Sequence, residues 1–211
     1  MSIDKTQKMA LDKITLEFKK GFDFLSHTKK AVVMFGSAVT KPEDKYYKLA
    51  CEVGKALAEL NYTIITGSGP GIMEAANKGA YEAGGKSIGL NIKLHNQQDS
   101  NKYTTKNVTF SYFYARKVMF ARYSMATLVF PGGFGTLDEL FDQLTILQNN
   151  KITQRPLILV GKDYYGPLVE WINNTLLKEG KIKQKDFNLI NQTEDVNEIV
   201  RIVEKEWNSK K

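Results

Sequence analysis

One cysteine, Cys51, is the whole thiol content of the chain, so no intramolecular disulfide can staple the fold. Histidine is nearly as scarce: His27 and His95 stand apart, and with one cysteine they cannot supply the clustered ligands of a zinc site, so no metal is expected. No apolar run approaches the roughly 18 residues that would span a bilayer. Asp4, Lys5, Asp12 and Lys13 interrupt the start of the chain, where a secretory signal would be apolar. A cytoplasmic protein without a membrane partner is expected. Proline, glycine and serine never gather into a linker and no repeat is visible, so the 211 residues are read as a helical arm over residues 1–30 and one domain over residues 31–211.

Acidic residues are missing from an entire stretch. Between Asp99 and Asp138 there is no Asp or Glu, while Lys102, Lys106, Arg116, Lys117 and Arg122 all fall there, so the segment is expected to be locally positive and to suit an anionic ligand. The overall charge of +7 needs no nucleic acid to explain it, because a lysine-rich surface gives the same number. No nucleic-acid partner is expected. The aromatics Phe110, Tyr112, Phe113 and Tyr114 belong to no recognised binding module and read as packed inside or at a dimer seam.

What is present is a regular alternation. Leu11, Ile14, Phe18, Phe22 and Leu25 recur at helical spacing over residues 5–25. Residues 31–35 are wholly apolar, as in a strand buried on both faces. A helix follows, with Pro42 near its start and Tyr46, Leu49, Ala50, Val53, Leu57 and Leu60 as its inner stripe. The pattern then predicts strands over 62–66, 87–91, 108–111, 126–130, 157–160 and 187–190, and helices over 72–83, 113–124, 137–148, 168–178 and 195–207. Residues 93–106 read as an ordered loop. Such alternation implies an α/β protein with a Rossmann-like, doubly wound parallel sheet, whose ligands sit beyond the carboxyl ends of the strands.

Three strand-to-helix turns fall at those ends. Gly36-Ser37-Ala38 fits a binding turn or a plain one. Thr66-Gly67-Ser68-Gly69-Pro70-Gly71 lets the backbone approach a ligand closely. Its spacing is not that of a dinucleotide site, and the next strand ends at Gly89-Leu90-Asn91 without the acid that would hold a ribose, which disfavours an NAD-dependent dehydrogenase. The third turn, Pro131-Gly132-Gly133-Phe134-Gly135, leads into a helix read as starting at Thr136, and its glycines and helix N-terminus predict a phosphate site. It is no Walker loop, since no Gly-Lys-Ser/Thr closes it. Glu139 carries two readings: it stands three residues after Thr136, as in a capping box, or it lies beside the phosphate turn near the reacting end of a ligand. Arg116-Lys117 is likewise either a solvated charge pair or part of the site, and Asp138 is expected to face solvent.

Taken together, Gly67-Ser68-Gly69-Pro70-Gly71-Ile72-Met73-Glu74-Ala75-Ala76-Asn77, Arg116-Lys117 and Pro131-Gly132-Gly133-Phe134-Gly135-Thr136-Leu137-Asp138-Glu139 resemble the LONELY GUY family, long labelled possible lysine decarboxylases. The resemblance runs from about residue 31 to 160 or beyond. It implies a homodimeric Rossmann-like hydrolase that cleaves the N-glycosidic bond of nucleoside 5′-monophosphates such as AMP or cytokinin ribotides, with no cofactor. By motif, Gly132, Gly133, Gly135 and Thr136, with Phe134 between them, would hold the phosphate, and Gly36, Ser37, Gly67, Ser68, Gly69 and Gly71 would complete the binding turns. Arg116 and Glu139 would be the catalytic pair, assisted by Lys117 and Thr145. Related molybdenum-cofactor carriers supply the alternative, a protein that binds a phosphorylated ligand without cleaving it.

The chain departs from the plant-type pattern in places. Phe113-Tyr114-Ala115 precede Arg116 where a Met-His is usual, Glu74 stands at the second turn as a candidate contributor, and Gln97, Gln98 and Asn101 occupy the region of an upstream acid. Decarboxylation of lysine is rejected: it requires pyridoxal phosphate on a lysine, and neither histidine precedes one. Cys51, on an amphipathic helix, reads as core packing.

Overall fold

The apolar strand Ala31–Phe35 (β1) occupies the middle of a seven-stranded, all-parallel sheet, where both of its faces are covered. The structure is a computed structural model and describes residues 4–94 and 100–209. In chain order it contains α1 (Lys5–Leu25), β1, α2 (Lys45–Glu59), β2 (Thr63–Thr66), α3 (Ile72–Glu82), β3 (Ser87–Ile92), β4 (Lys106–Phe110), α4 (Phe113–Arg122), β5 (Ala126–Val129) and α5 (Phe134–Gln148). There follow β6 (Leu157–Leu159), α6 (Lys162–Trp171) running into a π-helical turn (Ile172–Leu177), α7 (Gln184–Phe187), β7 (Ile190–Gln192) and α8 (Val196–Asn208).

The strand order β4-β3-β2-β1-β5-β6-β7 reverses direction between β1 and β5, with Val32 opposite Ala126 and Phe35 opposite Val129. That reversal makes a crevice beyond the carboxyl ends of the two strands. Strand alternation sends Val32 and Met34 into a core with α2, α3 and α8, and Ala31, Val33 and Phe35 into a second core with α4, α5 and α6. No helix among the described residues is long and apolar enough to cross a membrane.

The helix expected as an arm lies against β4 and α4. The Glu17 carboxylate accepts from the N–H groups of Ser111 (2.5 Å) and Tyr112 (3.1 Å), Lys20 Nζ donates to the Thr109 carbonyl (2.9 Å), and Gly21 sits so close to Met119 that a Cβ there would meet its sulfur at 2.7 Å. Glu17 thus satisfies free donors at the start of α4 and complements its dipole.

Several element boundaries differ from the sequence pattern, each because a specific contact prevails over local signals. Asp44 caps α2 through the Tyr46 N–H, so Pro42 lies outside the helix, and Tyr47 is buried where Tyr46 and Leu49 are half-buried. The Gly166-Pro167 pair does not delay α6, which starts at Lys162, because Tyr164 and Tyr165 anchor its first turn through hydroxyl bonds to the carbonyls of Gly132 (2.7 Å) and Phe130 (2.8 Å). The last strand begins at Ile190, because Phe187 ends α7 and Asn188 and Leu189 form the turn that follows it. The most consequential shift concerns α5, which begins at Phe134 with Gly133 as its N-cap. His95, Gln97 and Gln98 lie outside the described residues, as does part of the expected loop over 93–106.

Candidate active site

The three turns meet at the crevice, and backbone hydrogen bonds tie them to one another. Ser37 is the junction: its N–H donates to the Pro131 carbonyl (2.9 Å), its carbonyl accepts from Ile72 N–H at the start of α3 (2.9 Å), and its hydroxyl accepts from Val39 N–H (3.1 Å). Gly71 reaches this junction with φ +67°, a conformation that L side chains rarely adopt, and a Cβ there would lie 2.3 Å from the Ser37 oxygen. Behind the second turn, Thr66 donates to Asn77 (2.6 Å), Asn77 donates to Ser87 (2.7 Å), and Asn101 donates to both Asn77 and the Gly69 carbonyl. Ser68 is fully buried, with φ 64°, and its N–H donates to Thr66 Oγ1 (2.9 Å). Ser68, Gly69, Gly71 and Asn101 therefore build the wall of the crevice from behind.

In front of that wall is a hollow of about 400 Å³, within the range of small-ligand sites. Its polar side is formed by Gly36, Ser37, Gly67, Gly133, Gly135, Thr136, Arg116 and Glu139. Helix α5 points its N-terminus at this space. The N–H groups of Phe134 and Gly135 precede the first helical hydrogen bonds, which Thr136 and Leu137 donate to the Gly133 carbonyl (both 3.0 Å), and the first turn carries no acid to compete with an anion. Gly132 sits just behind, where a Cβ would be 2.2 Å from Thr136 Oγ1 and 2.9 Å from Ser37 N, whereas Cβ atoms at Gly133 and Gly135 would meet nothing.

Glu139 and Arg116 face each other across the hollow's inner side, Oε1 to Nη2 3.8 Å apart. Glu139 is only 4% exposed, and its Oε2 has no hydrogen-bond partner among the described residues; Arg116 Nε is also unpaired. Burial pushes the Glu139 carboxyl up to about 7, against the opposing pull of Arg116 and then Lys117. Burial also draws the Arg116 guanidinium down from its ordinary value, and Glu139 opposes this. The guanidinium lies between the rings of Phe113 and Phe120, 5.2 and 5.5 Å from their centroids. Because α5 starts at Phe134, Thr136 is its third residue and Glu139 its sixth, beyond the reach of a capping box. Capping cannot explain a buried carboxylate there that faces Arg116 and keeps one oxygen without a hydrogen-bond partner.

Other residues singled out in the sequence are placed elsewhere. Lys117 is held by Asp138 (2.8 Å) and Asp142 (3.6 Å) of α5. Asp138 is exposed as expected, but paired. Of the five cations in the acid-free stretch, only Arg116 lines the hollow, so its positive character there rests on one side chain. Thr145 lies farther along α5, donates to the Phe141 carbonyl of its own helix (2.7 Å), and borders a separate small hollow. Phe134 projects from the turn and is 92% exposed. Glu74 accepts from the Tyr47 hydroxyl (2.9 Å) and lies outside the hollow's lining. The apolar side, contributed by Phe35, Met73, Ile92, Leu94, Phe113 and Phe120, was not legible in the sequence, because an apolar residue at a strand end or helix start has the same pattern there as one in the core.

The fold and crevice define a Rossmann-like α/β protein with an oxyanion-type helix N-terminus set beside a buried carboxylate–guanidinium pair. The chain belongs to the family described as "Possible lysine decarboxylase", known also as LONELY GUY, whose model matches residues 73–203. It is 30% identical over 168 residues to "Probable cytokinin riboside 5'-monophosphate phosphoribohydrolase LOGL2" of Oryza sativa subsp. japonica, covering 78% of this chain and 68% of that one. It is 31% identical over 173 residues to the pyrimidine/purine nucleotide 5'-monophosphate nucleosidase of Escherichia coli K12, covering 75% of this chain but 37% of that longer protein. Among solved structures, the molybdenum cofactor binding protein of Rippkaea orientalis shares the fold, with a TM-score of 0.64 at 20% identity over 85% of this chain and 98% of that one. The site does not fit the pyridoxal phosphate that the family's label implies, for among the described residues no lysine lines the hollow and Lys117 is committed to two aspartates.

Proposed function

We propose that this protein hydrolyses the N-glycosidic bond of nucleoside 5′-monophosphates, AMP or a cytokinin ribotide, to the free base and ribose 5-phosphate. One observation carries the reading: a buried carboxylate with a free oxygen faces the hollow, beside a glycine-rich helix N-terminus suited to a phosphate. The named activities of the two relatives agree with it.

In this reading Gly132, Gly133, Gly135 and Thr136 hold the 5′-phosphate, with Ser37 and Gly67 closing the crevice around the sugar. Glu139 takes a proton from the attacking water as its oxygen bonds to C1′, and stabilises the oxocarbenium-like state while the C1′–N bond breaks and its electrons pass to the base. The departing nitrogen takes up a proton from solvent, and Glu139 releases its own to solvent, which leaves free base, ribose 5-phosphate and the starting carboxylate. Arg116 keeps its charge throughout and orients phosphate or ribose. The exposed apolar side chains Phe113, Tyr114 and Val118 on α4 and Phe134 and Phe141 on α5 support a homodimer, and the composition supports a cytoplasmic place for it.

The decisive test is chromatography of AMP and isopentenyl-adenosine monophosphate after incubation with the protein, which should yield free base and ribose 5-phosphate in equal amounts. Recovery of intact, bound nucleotide would instead establish a carrier. The reaction needs ionised Glu139, whose carboxyl titrates at about 7, so kcat/KM should be full above that pH and fall tenfold per unit below it. A profile flat between pH 5 and 8 would remove Glu139 as the base.

A further inference from the structure

Arg155 is a buried cation, 6% exposed, and no carboxylate lies within ion-pair distance of it among the described residues. It stands in the loop between α5 and β6, directly before Pro156, whose carbonyl accepts from Thr127 N–H in the sheet (3.0 Å). Its Nη1 donates to the carbonyls of Ala121 and Ser124, each at 2.5 Å, and its Nη2 donates to Gln143 Oε1. Ala121 is in the last turn of α4, where carbonyls lack intrahelical donors and a cation meets the negative end of the dipole. Gln143, fully buried, is four residues beyond Glu139, one turn along the same face of α5.

Helix α4 carries Arg116 and helix α5 carries Glu139. Arg155 is anchored to the sheet and grips both, about 8 Å along α4 from Arg116. A planar, always-charged fork can serve at once the Ala121 carbonyl in α4, the Ser124 carbonyl just beyond that helix and the Gln143 side-chain oxygen on α5, with a rigid geometry that an ammonium lacks. Isolating a cation in the interior is unfavourable, and the three oxygens only offset that.

We propose that Arg155 is a positioning residue that sets the separation of Arg116 and Glu139 by locking α4 to α5 at the end away from the hollow. The inference rests on the roles given above to that pair. The charges facing Glu139 are Arg116 and Lys117 from α4 and Asp138 and Asp142 from its own helix, so a change at Arg155 reaches Glu139 only through the helices.

The test compares Arg155→Met, Arg155→Lys and wild type. In Arg155→Met, kcat on AMP should fall by about 10- to 100-fold with KM little changed, since the phosphate turn is untouched. The acid limb of the pH profile should move upward, because a displaced Arg116 no longer holds the Glu139 carboxyl down. Arg155→Lys should recover part of both. The same upward shift should appear in a carbon-13 NMR titration of Glu139 in the unliganded protein, which reads the spacing even if wild type turns over nothing and the hydrolase reading fails. A folded Arg155→Met variant with a lowered melting temperature but wild-type kcat and an unmoved Glu139 titration would overturn the proposal. Should Arg155→Met not fold, Gln143→Met, which frees only the α5 side, must show the same shifts at smaller size, and their absence would overturn the proposal equally.

Discussion

Glu139→Gln is expected to lower turnover of AMP by about 10²- to 10⁴-fold, the usual worth of a positioned general base, while leaving nucleotide affinity within roughly threefold. Glutamine keeps the size and planarity of the side chain, so α5 and the phosphate turn should be undisturbed. It cannot take a proton from water or carry negative charge beside a developing oxocarbenium. The substitution is also a sharp discriminator, because glutamine serves as well as glutamate in a capping box. Single-turnover kinetics and calorimetric titration with AMP would check both halves. A Gln variant with wild-type turnover would show that Glu139 takes no part in chemistry, and one that loses AMP binding would place the carboxylate on the ligand instead. Whatever activity remains should no longer fall away below pH 7, since the group that titrates there has been removed.

Gly132→Ala is expected to weaken AMP binding by about 100-fold and to destabilise the fold by about 1–3 kcal/mol, the usual cost of overpacking. Its added methyl would lie 2.2 Å from Thr136 Oγ1 and 2.9 Å from the Ser37 nitrogen. Neither neighbour can yield easily: Thr136 is buried on the first turn of α5, and Ser37 N–H is bonded to the Pro131 carbonyl. The turn must open, which separates the first crevice turn from the third and misdirects the helix N-terminus. Gly135→Ala is the matched control, because a Cβ there meets nothing. It lies inside α5 and should raise stability by up to about 1 kcal/mol through helix propensity, while its methyl narrows the hollow and weakens AMP binding. Thermal melts beside calorimetry would separate the two effects. Retention of both stability and AMP affinity in Gly132→Ala would contradict the geometry of the turn.

Much of this protein was readable along the chain. The wholly apolar run of β1, the helical stripes of α1 and α2, and the glycine turns at strand ends all encode local structure with short-range signals, and their order determined the parallel α/β sheet and the place of its crevice. Family motifs brought Arg116 and Glu139 forward as a pair. Glu139, however, fits a capping box as readily as a catalytic role when α5 is taken to start at Thr136, and only the family motif favours the catalytic one. The true start at Phe134 moves Glu139 out of reach of the helix end, and that shift follows from how the turn packs against Ser37 and the first turn of α6. Lys117 shows the converse, a cation beside Arg116 in sequence that its helix presents to two aspartates instead.

The sequence by itself determined the fold class, the order of the turns and the residue types of the site. Tertiary structure alone decided which side chains share the hollow, the unpaired state of the Glu139 oxygen, and the grip of Arg155 on two helices. The physical reason is the range of the interactions. Helix and strand periodicity arise between residues a few positions apart, where composition records them. Arg155 instead bonds to backbone carbonyls 31 and 34 residues away, and a carbonyl is present at every position whatever its side chain.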